Sequence, residues 1–166
     1  MIKIAINNDM VKSAKYKAKD LGELNNSITK GYGNLAGFLG EEVVKSILGG
    51  TLSNTYEYDL ITSDGTTYDI KTKRCTSTPK EFYECSVANF NTRQDCDRYA
   101  FVRIKDNKTA WYLGWLTKKE FFEKAKFHRK DEVDPSNGFK FRADCYNVAI
   151  HELNGGVQIE NEFGKT

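Results

Sequence analysis

From Leu35 onward the apolar positions recur every four residues: Leu35, Leu39, Val43 and Ile47 form one stripe, and Phe38 and Val44 widen it. That period is the buried face of an α-helix, and Gly49-Gly50 supplies its C-terminal stop. Gly37 and Gly40 are poor helix formers inside it, which predicts a close approach there by another backbone or a ligand. Upstream, a short strand at about residues 3–6 leads through Asn8 or Asp9, as N-cap, into a lysine-rich helix at about residues 10–21. Asn25-Asn26-Ser27 reads as a break.

Beyond the glycine stop the period falls from four to two. Residues 52–62 alternate Tyr56, Tyr58 and Leu60 against Glu57, Asp59 and Ile61, and residues 66–75 alternate Tyr68, Ile70 and Thr72 against Asp69, Lys71 and Lys73. Both stretches read as strands, and residues 82–87 as a third, reached through a loop holding Ser77-Thr78-Pro79. A polar connector or short helix fills 89–98, and strands at 99–105 and 109–116 flank an Asp106-Asn107-Lys108 turn. Thr117 caps a helix from 118 to about 128 with Phe121, Phe122 and Ala125 inward. A long polar loop covers 129–144, a last strand 146–153, and the tail beyond Asn154 is expected to be loosely held. No repeat, low-complexity tract or linker divides the chain, so 1–166 is read as a single domain.

The polar faces of two of these strands carry the candidate chemistry. Side chains two apart on a strand share a face, so Asp69 and Lys71 point the same way, on a partly exposed polar face, with Ile70 turned to the core. If Ser63-Asp64-Gly65 is a three-residue loop with Gly65 left-handed, Thr62 pairs with Thr66 and Asp59 lies opposite Asp69, ~4.5–5.5 Å away at Cβ. A two-residue Asp64-Gly65 turn puts the two carboxylates on opposite faces instead. Two or three carboxylates suit a hard cation such as Mg²⁺ or Mn²⁺, and a nearby lysine can orient water and stabilise charge developing on phosphorus. Glu41 and Glu42 on the glycine-bearing helix, and Glu57 on the Asp59 face, are further acids within the pattern. An Asp-x-Lys alone is often only a cross-strand ion pair.

Composition narrows the class further. At 39% hydrophobic and 29% charged residues over 166 positions, the chain has the material for a core without staples. No apolar run approaches the ~20 residues of a membrane span, and the N-terminus turns polar at Asn7-Asn8-Asp9, before a signal peptide's apolar region is complete. The expectation is a cytoplasmic protein. Cys75, Cys85, Cys96 and Cys145 match no common zinc spacing and read as free buried thiols; His128 and His151 are isolated. The net charge of +2 is mild, but Lys12, Lys15, Lys17 and Lys19 crowd one segment and Lys118, Lys119, Lys124, Lys126, Arg129 and Lys130 another, which permits phosphate contacts.

A helix with Gly37-x-x-Gly40-Glu41, then Asp59, then a hairpin into Asp69-x-Lys71 resembles the PD-(D/E)xK nuclease superfamily. The resemblance covers about the middle half of the chain, with Tyr58 standing where the signature has proline. It implies a restriction-endonuclease-like α/β fold: a mixed central sheet flanked by helices, core order helix, three strands, helix, strand, here with an added C-terminal strand-helix-strand extension. It also implies Mg²⁺- or Mn²⁺-dependent hydrolysis of DNA phosphodiester bonds, as in phage or mobile-element endonucleases. Asp59, Asp69, Glu41 and Ile70 form the implied metal set, with Glu42 as the alternative helix acid, and Lys71 is the implied catalytic lysine. Lys73, Arg74 and Gln94 are the implied nucleic-acid contacts. DNA is the expected partner, with RNA and a homodimer left open and no membrane. The competing expectations are a catalytically inactive nucleic-acid-binding module on the same fold and a structural protein with a surface charge network.

Overall fold

The computed structural model describes residues 1–22, 32–53 and 55–155; the break at Asn25-Asn26-Ser27 and the tail from residue 156 lie outside them. Helix α1 (Asn8–Gly22) follows strand β1 (Ile2–Ala5). Its first turn is closed by Asn7, whose Oδ1 accepts the Met10 N–H at 2.9 Å, one or two positions before the predicted caps. Helix α2 (Tyr32–Leu48) buries the predicted stripe, with Leu39, Val43 and Val44 fully inside. It ends as expected, the Gly49 N–H reaching the Lys45 carbonyl at 2.8 Å.

The strands are β2 (Thr51–Leu52), β3 (Leu60–Ile61), β4 (Thr67–Arg74), β5 (Glu84–Ala88), β6 (Arg98–Lys105) and β7 (Thr109–Thr117). Helix α3 (Lys118–Lys124) and strands β8 (Lys126–His128) and β9 (Cys145–Ala149) follow. Six strands form a mixed sheet in the order β1-β7-β6-β4-β3-β2, in which β4 and β6 run parallel and their neighbours antiparallel. The remaining three form a second sheet, β5-β9-β8. Parallel neighbours need a long crossover, and residues 75–97 supply it, carrying β5 out to pair with β9 and returning through a 3-10 turn at Asn89–Arg93.

The mixed α/β class agrees with the sequence reading, and several boundaries differ. The strand read over 52–62 is two fragments paired with each other; the Ser53 N–H still reaches the Asp59 carbonyl at 2.8 Å, and residues 55–58 lie outside any strand. Thr55 diverts the backbone there: its hydroxyl donates to the Tyr58 carbonyl at 3.1 Å, a local bond that competes with a strand ladder. Tyr56 is left outside at 61% exposure. The strand at 82–87 belongs to the second sheet rather than the central one. The helix expected to reach about residue 128 stops at Lys124, because 126–128 pair with β9, and the last strand ends at Ala149 in a 3-10 turn at Ile150–Glu152.

Strand β6 is buried on both sides, as a central strand in a covered sheet must be. Ala100, Val102 and Ile104 face α1 and α2 together with Ile70 and Leu60. Tyr99 and Phe101 face α3 and the second sheet with Phe121, Val87 and Val148. Gly40 sets the approach of α2 to the sheet: a Cβ built there would lie 1.8 Å from Thr72 Oγ1, so the helix rests on β4 at a distance only glycine permits. Gly37 faces open space: of the two approaches expected at these glycines, a backbone or a ligand, no protein group among the described residues makes one there. Among the described residues no helix is long and apolar enough to cross a membrane.

Candidate active site

The β3–β4 hairpin decides which acids meet. The Thr62 N–H donates to the Thr66 carbonyl at 3.0 Å and the Gly65 N–H to the Thr62 carbonyl at 2.9 Å, with Gly65 at φ +84°. This is the three-residue loop, a left-handed glycine closing it. Asp64 locks it by accepting from Thr62 Oγ1 at 2.6 Å and from the Thr66 N–H at 3.0 Å, bonds that hold its carboxyl down at about 2. Leu60 therefore pairs with Tyr68 and Ile61 with Thr67, the register expected for this loop, but the pairing does not continue to Asp59 and Asp69.

At Asp59 the ladder breaks. Its N–H bonds the Tyr68 carbonyl at 2.9 Å, one residue out of step, and its carboxylate Oδ2 takes the Ile70 N–H at 2.7 Å. A side chain thus replaces the missing strand as the partner of β4, and it fixes Asp59 against Asp69. The Ile70 side chain is buried with the α2 core, leaving only its main chain at the site.

Asp69 is 2% exposed, not on the partly exposed face expected for it, because Tyr99 and Cys96 close over that side of β4. Lys71 Nζ lies 2.7 Å from Asp69 Oδ2. This ion pair brings an ammonium against the buried Oδ2 at hydrogen-bonding distance. Burial, then the charge of Asp69, pushes the Asp59 carboxyl up to about 7, while the Ile70 N–H and Lys71 oppose the rise. The two aspartates are within hydrogen-bond reach of each other. Glu41 rises to about 8, first by burial and next by Asp59, with Lys17 opposing and Glu42 and Asp69 adding.

The two helix glutamates separate here. Glu42 pairs with Lys17 of α1 at 3.6 Å. Glu41 shares with Asp59 a cleft of about 330 Å³ that Lys17, Asp20 and Phe38 also line. Among the described residues no three Asp, Glu, His or Cys side chains close around one point; the aspartates form a contact pair, with Glu41 set back and coupled through charge. The donors fit a hard divalent cation in kind: all are carboxylate oxygens, Asp69 is buried, and burial with mutual repulsion holds the Asp59 and Glu41 carboxyls far above their ordinary range.

The remaining candidates are dispersed. Lys73 follows Lys71 on the same face of β4, its ammonium 5.9 Å from the centre of the Phe139 ring, and partial burial followed by the charge of Arg103 pulls its pKa below the ordinary lysine value. Arg74 faces the other way, its Nη1 donating to Asn107 Oδ1 in the β6–β7 turn at 2.7 Å. Gln94 Nε2 donates to the Tyr56 carbonyl at 2.7 Å, and Glu57 accepts the Asp95 N–H at 2.5 Å. These two bonds stitch the 53–59 loop to the segment after the 3-10 turn, so Gln94 and Glu57 position the loop that ends in Asp59. His128 stacks on Phe141 and pairs with Glu132 at 3.0 Å. All four cysteines are free, and burial pushes the Cys96 thiol, next to Asp69, up to about 11.

Two residues at these sites escaped the sequence reading. Lys17 faces Glu41 across the α1–α2 contact, a pairing between helices that no local period encodes. Arg103 is 7% exposed within an apolar strand, and a lone arginine among the six central positions, the other five apolar, was its available signal. Compared with known proteins, the chain matches no family model, and no curated protein is significantly similar to it.

Proposed function

We propose that the protein is a divalent-metal-dependent endonuclease that hydrolyses phosphodiester bonds in DNA, on a restriction-endonuclease-like, PD-(D/E)xK-type arrangement. The observation that carries this reading is the Asp59–Asp69 contact pair beside Lys71, two carboxylates held together inside the protein with a lysine ammonium against them. Two acids driven together inside the protein repel one another, and the arrangement makes physical sense around a cation. The parallel β4–β6 pair with α2 behind it supports the fold assignment; the departure of β5 to a second sheet is a difference from the expected core order.

In this reading Asp59 and Asp69 hold Mg²⁺ or Mn²⁺, with Glu41 as a third acid and the Ile70 N–H fixing the Asp59 carboxylate. Bound there, the cation supplies Lewis-acid charge to the phosphate and acidifies a water. Lys71 places its ammonium where negative charge develops on phosphorus and helps to orient the attacking water. Gln94 and Glu57 keep Asp59 in place. Plasmid, single-stranded and branched DNA incubated with Mg²⁺, Mn²⁺ or EDTA test this directly. Cleavage with either metal, lost in EDTA and in Asp69→Asn, is the expected result. DNA binding without cleavage under every condition would instead establish the inactive binding module.

A further inference from the structure

A second cleft opens on the face of β4 that carries Asp69 and Lys71. It measures about 630 Å³ and runs between β4, β5 and the 129–144 loop. A smaller hollow of about 230 Å³, which Lys71 itself lines, shares Lys73, Glu84 and Arg103 with it. One trough therefore leads from Lys71 past Lys73 to Phe82 and Phe139. Lys71 and Lys73, two apart on the strand, are roughly 6.6 Å apart along it.

The floor of the trough is cationic. Arg103 is 7% exposed, donates from Nη2 to the Glu84 carbonyl at 2.8 Å and sits over the Tyr83 ring. Among the described residues neither Arg103 nor Lys73 has an ion-pair partner. Two carboxylates also line the trough, and each is engaged elsewhere: Glu84 accepts from Asn147 Nδ2 at 3.0 Å and Asp134 from Ser136 Oγ at 2.7 Å. A buried cation is costly unless an anion meets it closely, and among the described residues Arg103 has no carboxylate within ion-pair distance. The rim is aromatic: Phe82 is 67% and Phe139 49% exposed, on opposite walls. Lysine ammoniums lie over these rings, Lys80 at 5.8 Å from the Phe82 centre and Lys73 at 5.9 Å from that of Phe139. Cations together with exposed rings are the means by which proteins hold an unpaired strand, phosphates on the floor and bases against the rings. A continuous duplex keeps its base faces stacked inside and offers such rings nothing.

We infer that the trough binds a single-stranded DNA segment adjoining the phosphate to be cut. The substrate is then DNA with a flap, branch or overhang rather than uninterrupted duplex. The inference rests on the nuclease reading for the place of the scissile phosphate, though not for strand binding itself. Lys73 and Arg103 take the phosphates; Phe82 and Phe139 take the bases.

The test uses Asp69→Asn in EDTA, so that no strand is cut, with 2-aminopurine oligonucleotides whose fluorescence falls on stacking. Single-stranded DNA should be quenched and should bind at least ~10-fold more tightly than the same sequence in duplex. Phe82→Ala and Phe139→Ala, both at exposed positions, should each weaken single-strand binding ~5- to 100-fold while leaving the melting temperature and duplex binding unchanged. Variants that bind like the parent, or a parent that prefers duplex, would overturn the trough assignment even in a chain that cleaves duplex with Mg²⁺. Quenching that persists in a wild-type chain that cuts no DNA would uphold the trough and remove the nuclease reading.

Discussion

Removing Lys71 strips the Asp69 carboxylate, 2% exposed, of the cation 2.7 Å away. The buried charge that remains should destabilise the metal-free protein by about 1–3 kcal/mol, and cleavage should fall at least ~10²-fold. Asp69→Asn keeps the shape and drops the charge, so it should fold, lose activity to the same extent and bind Mn²⁺ more weakly; Lys71→Ala should spare Mn²⁺ binding. Calorimetric titration with Mn²⁺ beside a cleavage assay separates the two roles, and full activity in either variant removes the assignment. The raised acids add a pH dependence of unusual sign. Asp59 at about 7 and Glu41 at about 8 bind more protons folded than unfolded above the ordinary carboxylate range. Their contribution to stability is therefore greatest below about pH 4 and is lost as pH rises to about 8. In EDTA, Asp59→Asn should melt above wild type at pH 8 and show no such gain at pH 4. Mg²⁺ should raise the wild-type melting temperature more at pH 8 than at pH 5. An advantage of the variant that does not change with pH would refute the buried-acid account.

At the scale of elements, α2 delivers Glu41 only because it lies close on β4, and Gly40 is the contact that permits it. Gly40→Ala drives a methyl into Thr72, whose Oγ1 and Cβ stand 1.8 and 2.9 Å from the new atom. Thr72 is β-branched and pinned in its strand, so the helix must shift; we expect a loss of about 1–3 kcal/mol and a fall in activity as Glu41 moves. Adding Thr72→Ala, which removes the nearest atom and a hydroxyl that has no partner, should restore part of both. Gly37→Ala, in open space on the same helix, should be neutral or stabilise by up to ~1 kcal/mol. Denaturant melts of the three variants check this, and equal effects at the two glycines would contradict it. The sequence announced glycines in a helix but not which one touches, because contact depends on the partner strand.

At the scale of the molecule, what the sequence disclosed is what short range determines. The α2 stripe, its glycine stop and the Ser63-Asp64-Gly65 loop are local, and the loop fixed the Leu60–Tyr68 register. The break one residue later, which brings Asp59 to Asp69 by its side chain rather than by strand pairing, was not legible. Partnership across long separations was not legible: β5 alternates like any strand, yet it pairs with β9, Glu84 opposite Ala149. The trough between the two sheets was invisible for the same reason, since Lys73, Arg103, Phe82 and Phe139 come from four separate segments. Under the proposed function, their assembly changes which residues are expected to meet DNA. Of the two basic residues that follow Lys71, Lys73 shares its face, whereas Arg74 faces α2 and bonds Asn107. Affinity for DNA should fall linearly with the logarithm of salt concentration. Lys73→Gln should weaken binding across sequences and reduce the slope by about 1, the loss of one phosphate contact. Arg74→Gln, on the far side of β4, should leave the slope nearly unchanged. Titrations of labelled DNA across a range of salt concentrations, in EDTA, decide between them. If affinity does not depend on salt, phosphate contacts are not what holds the ligand; if Arg74 rather than Lys73 carries the slope, the DNA runs on the α2 side of the sheet and the trough is not its path.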